Sequence, residues 1–273
     1  MTLTRKEYMV VREVKNLLRK YGGIDITGYK DDFIMRRIKA RMIALNLKDI
    51  DDYIDYLRYN LKKEIIELLN SISINVSEFF RDPWVWETLR KYVLRVLQSK
   101  DVLRVVRIWS AGCSRGEEPY SMAILISELL NDDIKKYTIA IYATDIDKEA
   151  LSYARRGVYH LNSLRNVPKN ILSKYFVPLG DDLYAVKPEI KKMVRFQYHD
   201  LTKDPPLPYM DVVLCRNVLI YFSKELQCKV LLNLYKSLKP GGYLVLGASE
   251  YLNDELRTYF RPIDLRARIF IKV

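Results

Sequence analysis

Only three of the 273 residues are cysteine, Cys113, Cys215 and Cys228. The number is odd and the spacing is not that of metal ligands, so reduced thiols are expected and no metal site. No apolar run approaches the roughly 20 residues that a bilayer span needs. The first twenty residues mix charge with apolar periodicity where a signal peptide would carry an unbroken apolar stretch. These absences predict a cytoplasmic protein with no direct membrane insertion. Internal repeats and low-complexity tracts are also missing. Acidic residues are in deficit, 34 against 46 Lys and Arg, which leaves a net charge of +12. A chain so basic suits a polyanionic partner, either nucleic acid or an acidic protein surface. Residues 1–76 hold 15 Lys and Arg against 11 Asp and Glu, so the excess is spread along the chain.

What is present is enough apolar residue, 49% of the chain, for one large core and a smaller one, and two domains are expected. Residues 1–70 read as helices throughout (5–21, 31–45, 49–60 and 62–70), with Gly22-Gly23 as a stop. The helix over 31–45 carries Ile34, Ile38, Met42 and Leu45 on one stripe, with Arg36, Arg37, Lys39 and Arg41 around the rest. A charge run of this kind is ordinarily a solvated helix face. Residues 71–85 link this domain to a second, 86–273, which opens with a helix after Asp82-Pro83. From Leu103 onward strands and helices alternate, as in a parallel sheet with helices on both faces. The exception is residues 158–192, where a short hairpin is expected around Leu179-Gly-Asp-Asp.

Three predicted strands end in polar groups. The first, through Val105, Val106 and Ile108, runs into Trp109-Ser-Ala-Gly-Cys-Ser-Arg-Gly-Glu-Glu-Pro-Tyr-Ser121, where Gly112, Ser114 and Gly116 let the backbone approach a ligand at a helix start. The second, 138–144, ends in Asp145, and the third, 211–215, in Arg216-Asn217. In an open α/β sheet such ends converge on one crevice where the topology reverses. An ionised carboxylate there suits paired ribose hydroxyls. Asp145 lies 29 positions after Gly116, further than the roughly 20 of a dinucleotide fold, which argues against NAD. The competing reading is a helix cap, since Asp145 and Asp147 both precede the helical run 148–156.

Taken together, Asn75-Val-Ser-Glu-Phe-Phe-Arg-Asp82, Ser110-Ala-Gly-Cys-Ser-Arg-Gly-Glu-Glu-Pro-Tyr-Ser121, Ala143-Thr-Asp-Ile-Asp147 and Cys215-Arg-Asn-Val-Leu-Ile-Tyr-Phe222 resemble the chemotaxis receptor methyltransferases, the CheR family. The resemblance implies a Rossmann-like class I S-adenosylmethionine-dependent methyltransferase sheet, an N-terminal all-helical receptor-docking domain and a small inserted antiparallel β subdomain. It implies methyl esterification of receptor glutamates with S-adenosylhomocysteine as product. The cofactor contacts it carries over are Asn75, Ser77, Arg81, Gly112, Glu117, Asp145, Asp200, Leu201, Arg216 and Asn217, with Arg81 and Tyr221 as catalytic residues. Arg36, Arg37, Lys39 and Arg41 become candidates for docking the acidic cytoplasmic helical bundle of a chemoreceptor. A monomer is expected, with no nucleic-acid partner.

Four positions depart from the family pattern: Ser77 for threonine, Asp200 for asparagine, Arg115 for a small polar residue, and Gly247-Ala-Ser-Glu250 without the familiar histidine. Asp200 keeps an acceptor and lacks the amide donor. Many family members tether to a receptor's C-terminal pentapeptide through the inserted subdomain. The short acidic Val-Pro-Leu-Gly-Asp-Asp loop between Phe176 and Leu183 predicts that this chain does not depend on it. Two alternatives stand beside this reading. A nucleic-acid methyltransferase would fit the charge and Asp204-Pro-Pro-Leu-Pro-Tyr209, although that segment precedes the strand it should follow. A non-catalytic receptor-binding adaptor would not need Arg81, Asp145, Asn217 and Tyr221 together.

Overall fold

The computed structural model describes residues 3–22, 25–72, 77–100, 104–252 and 254–273, and the chain divides into two compact units. Asn75 lies outside the described residues.

The first unit comprises Met1–Ile74 together with Tyr221–Gln227. Its helices are α1 (Arg5–Tyr21), α2 (Asp31–Ala44), α3 (Ile50–Tyr59) and α4 (Leu61–Ile72). Thr4 and Glu7 form a reciprocal capping box at the start of α1, which satisfies two otherwise orphaned amides. The apolar stripes meet in a core of Val11, Val14, Leu18, Phe33, Ile34, Ile38, Tyr53, Leu57 and Leu68. Ile34, Ile38 and Met42 of α2 are buried as the periodicity predicts. Arg41, expected on the solvated face, instead turns inward. Its guanidinium makes two bonds to the Glu64 carboxylate, 2.9 and 2.8 Å, and the Tyr53 hydroxyl donates to the same carboxylate at 3.1 Å. Glu64 is fully buried, so its charge has to be met inside the protein.

Tyr221–Gln227 follows the fourth strand of the main sheet in sequence, inside the span read as 86–273, yet belongs with the helical unit. Phe222 bridges to Tyr29, Lys30 donates to the Tyr221 carbonyl at 3.0 Å, and Ser223 donates to that of Gly28 at 2.8 Å. The Tyr221 ring packs on Phe33 with centroids 4.6 Å apart.

The second unit is built on β1 (Val105–Ala111), β2 (Thr138–Asp145), β6 (Val194–Tyr198), β7 (Met210–Cys215), β8 (Leu238–Leu246), β9 (Phe260–Asp264) and β10 (Ile269–Lys272). Their order is β6-β2-β1-β7-β8-β10-β9. The first five are parallel, and β10 runs antiparallel to both β8 and β9. α5 (Pro83–Gln98), α6 (Glu117–Leu130) and α7 (Lys148–Arg156) contribute Val85, Leu89, Val93, Met122, Ile126 and Leu151 to one core with Val106, Ile108, Ile141, Val212 and Val245 of the sheet. From β1 the chain moves through α6 to β2 on one side. From β7 it moves through α10 (Lys224–Ser237) to β8 on the other, so the order reverses between β1 and β7. The carboxyl ends of those two strands are where such a sheet binds its ligand.

A separate sheet, β3-β5-β4, is formed by β3 (Val158–His160), β4 (Phe176–Gly180) and β5 (Leu183–Val186). It contains the expected hairpin. Asp181 and Asp182 at its tip both have positive φ, 48° and 56°, as a type I′ turn requires. The short helices α8 (Lys169–Tyr175) and α9 (Pro188–Lys191) flank it in sequence. Among the described residues no helix is long and apolar enough to cross a membrane.

Candidate active site

The loop after β1 is pinned to the neighbouring strand, since the amides of Gly112 and Cys113 both donate to the Thr144 carbonyl at 2.8 Å. Gly112 has φ +80° and a Cβ there would overlap the Val218 side chain. Gly116 has φ +93°, and a Cβ would stand 2.8 Å from that of Ala154. Only glycine meets both demands at these two positions.

Asp145 ends β2 beside this loop. One carboxylate oxygen accepts from Ser114 N at 2.7 Å and the other from Asp147 N at 2.9 Å. Burial pushes its carboxyl above the ordinary carboxylate range, while the two amides pull it back. The capping role falls to Asp147, whose Oδ1 accepts from Glu149 and Ala150 at 2.8 and 2.9 Å. Asp145 thus shapes the loop, and each oxygen keeps a lone pair for a ligand hydroxyl.

Glu117, the first residue of α6, is 2% exposed. Burial pushes its carboxyl up to about 7, opposed by a hydrogen bond to Ser77 and the charge of Arg115. Its Oε2 is buried and makes no hydrogen bond. An unpartnered carboxylate oxygen in a dry setting is costly on its own, and a cationic group is what would satisfy it.

Arg216 comes off the end of β7, and its side chain is 2% exposed. The guanidinium donates to Asp82 Oδ2 at 2.7 Å and to the Arg81 carbonyl at 3.0 Å, and lies 3.6 Å from Glu118. Ser110 in turn donates to Glu118 at 2.7 Å. Expected as a cofactor contact, Arg216 pairs with protein groups through its two Nη atoms and braces the segment carrying Arg81, while its buried Nε has no hydrogen-bond partner. That segment is contorted, with Phe80 and Asp82 at φ 50° and 58° on either side of Arg81. Left-handed backbone at two non-glycine positions persists only where its surroundings hold it. Here Ser121 Oγ accepts from Phe80 N at 2.9 Å, and Trp86 Nε1 and Arg216 both donate to the Arg81 carbonyl.

Asn217 follows with φ 60°. Its amide and the next three donate to the buried carboxylate of Glu250, a residue outside the site predicted from sequence. The signal that could have found it is an acidic residue following small residues at the end of β8, a fourth polar strand end. Asp200 is turned inward. Its Oδ1 accepts from Thr202 N at 2.9 Å and Thr202 Oγ1 at 2.6 Å, and its own amide donates to Asp204 at 2.8 Å. Leu201 beside Asp200 is half-buried. The Asp204-Pro-Pro-Leu-Pro-Tyr209 segment leads into the amino end of β7, opposite the end where Arg216 and Asn217 lie.

In the helical unit, Arg36 pairs with Asp32 at 2.8 Å and Lys39 with Glu7 at 2.6 Å, both at the surface. The Arg37 guanidinium lies over Phe33, 5.6 Å from the ring centroid. With Arg41 held by Glu64, the four basic residues of α2 do not form one solvated set.

A mostly parallel sheet of this order, with a glycine-bearing loop after its first strand and an acidic end on its second, defines an S-adenosylmethionine-dependent methyltransferase of the Rossmann-like class. The chain belongs to the CheR methyltransferase family: residues 75–269 match its SAM binding domain and residues 9–73 its all-alpha domain. It is 34% identical over 237 residues to a chemotaxis protein methyltransferase of Borreliella burgdorferi, covering 84% of this chain and 83% of that protein. It is 34% identical over 244 residues to chemotaxis protein methyltransferase 1 of Pseudomonas aeruginosa, covering 87% and 88%. An uncharacterized 104.1 kDa protein of Rhodobacter capsulatus is 32% identical over 258 residues, 94% of this chain and 27% of that protein.

Proposed function

We propose that the protein transfers a methyl group from S-adenosylmethionine to glutamate side chains on the cytoplasmic helical bundle of a chemoreceptor, yielding glutamate 5-O-methyl ester and S-adenosylhomocysteine. The observation that carries the cofactor half is Glu117, whose buried, unpartnered oxygen suits the ammonium of the methionine moiety. Asp145 takes the ribose hydroxyls, and Ser77 stands close enough to Glu117 to favour its ionised form. When bound, the donor supplies an electrophilic methyl on a sulfonium. The chain's own task is positioning, because a substrate glutamate is already ionised near neutral pH and needs no base. Holding reactants in attack geometry can supply about 7–11 kcal/mol of the barrier. Charge is lost as carboxylate and sulfonium become ester and thioether, so a cation that clasps the ground-state carboxylate too tightly would slow the reaction. A half-buried arginine on a braced loop and a tyrosine hydroxyl, Arg81 and Tyr221, suit that demand.

The net charge of +12 supports an acidic helical bundle as substrate. Arg36, Arg37 and Lys39 are the docking candidates that remain once Arg41 is assigned to the core of the helical unit. The acidic Asp181-Asp182 tip supports independence from an acidic receptor pentapeptide. We take the enzyme to act as a monomer in the cytoplasm, where the receptor bundle lies. The test is incubation with labelled S-adenosylmethionine and a receptor cytoplasmic fragment. Label that enters the receptor and leaves as volatile methanol in mild base supports the reading, and label that resists base or goes elsewhere refutes it.

A further inference from the structure

Glu250 sits in the turn that follows β8, and its residue is 3% exposed. Five backbone amides donate to its one carboxylate. Oε1 accepts from Val218 at 2.9 Å, Leu219 at 2.7 Å and Ile220 at 3.4 Å, and Oε2 accepts from Asn217 at 3.0 Å and Gly247 at 2.6 Å. Four of these donors are consecutive residues of the turn leaving β7, and the turn begins with Asn217 in left-handed backbone. No side chain fits at Gly247, where a Cβ would stand 2.7 Å from both Asn217 N and Glu250 Oε2. The carboxylate therefore fills a cup of amides and ties the end of β8 to the end of β7. A run of amides converging on one point favours a negative charge there.

We infer that Glu250 is a positioning residue for methyl transfer: its carboxylate presets the Asn217–Ile220 turn, and with it Asn217, before any ligand arrives. The inference rests on the methyltransferase reading above. Removing the charge without changing the shape is the discriminating perturbation. In Glu250→Gln one oxygen becomes an NH2, a donor that faces amide donors, so the cup has to open while the strands on either side stay paired.

Two readouts test this. In the ligand-free wild type, the amides of residues 217–220 should be protected from hydrogen exchange. In Glu250→Gln they should exchange at least about tenfold faster while the amides of β1 and β8 keep their rates. In the same variant, S-adenosylhomocysteine should bind more weakly and kcat should fall about 10²-fold, the scale of a small misplacement of reacting groups, with KM for the receptor fragment unchanged. Unprotected 217–220 amides in the wild type overturn the inference even if the variant fails to fold. So does a folded Glu250→Gln enzyme with wild-type kcat and ligand affinity. A wild type that neither binds S-adenosylhomocysteine nor methylates receptor overturns the functional reading instead, a result the exchange measurement does not depend on.

Discussion

Acidification should weaken cofactor binding, and Glu117 sets the size of the effect. Its carboxyl is raised from the ordinary 4.5 to about 7 because the residue is buried. Below pH about 7 the free protein holds Glu117 as the neutral acid, while the ligand's α-amino group stays charged. If the ionised acid is the form that binds the ammonium, affinity should fall about tenfold for each pH unit below 7, and close to one proton should be released per ligand bound at pH about 6. Stability of the ligand-free protein moves the other way. A carboxyl whose pKa is raised on folding binds its proton more tightly when folded, so stability drops as pH rises from 4.5 to about 7, by about 3 kcal/mol once ionised. The thermal stabilisation given by S-adenosylhomocysteine should therefore grow between pH about 6 and 8. Calorimetry in buffers of different ionisation enthalpy counts the proton directly. Glu117→Gln should bind weakly and without this pH dependence, which separates Glu117 from Asp145, also raised by burial. Wild-type affinity that stays constant from pH about 5.5 to 7.5 would refute the assignment of Glu117.

Other outcomes follow from the same geometry. Asp145→Ala should lower S-adenosylhomocysteine affinity by about 1.5–3 kcal/mol, the worth of a hydrogen bond to a charged group; calorimetry on the folded variant checks it, and unchanged affinity excludes a ribose contact. Arg41→Glu should destabilise the helical unit by about 3–5 kcal/mol, because it leaves the buried Glu64 charge facing another; denaturant titration measures this. Arg36→Glu should instead leave stability near wild type, since its pair with Asp32 is exposed, and reduce receptor methylation more at low salt than at high salt. Tyr221→Phe should lower turnover by about 10²-fold or more with cofactor affinity intact; near-normal kcat would reduce Tyr221 to its packing on Phe33.

The parts of the site legible in the sequence are those written locally. Gly112, Asp145 and Arg216 each stand directly after an apolar strand, so strand periodicity alone brings them to one end of the sheet. The hairpin tip at Asp181-Asp182 was equally visible, because aspartate tolerates positive φ. The illegible parts depend on partners distant in sequence. Small residues before an acid mark Glu250 as a further polar strand end, but its role as acceptor for four amides at the end of β7 is not local, nor is the pairing of Asp82 and Glu118 with Arg216. The charge pattern of α2 reads as a solvated face, and only the packing of α4 shows that Arg41 answers Glu64. Likewise Asp145 and Asp147 are equivalent as caps until the amide partners of each are known.

The central claim, that the loop after β1, Asp145 and Glu117 form the seat of the methyl donor, is tested most directly by a crystal structure with S-adenosylhomocysteine bound. The ligand ammonium should lie within hydrogen-bond distance of Glu117 and the ribose hydroxyls on Asp145. A ligand bound elsewhere, or in this crevice with its amino group away from Glu117, would contradict it.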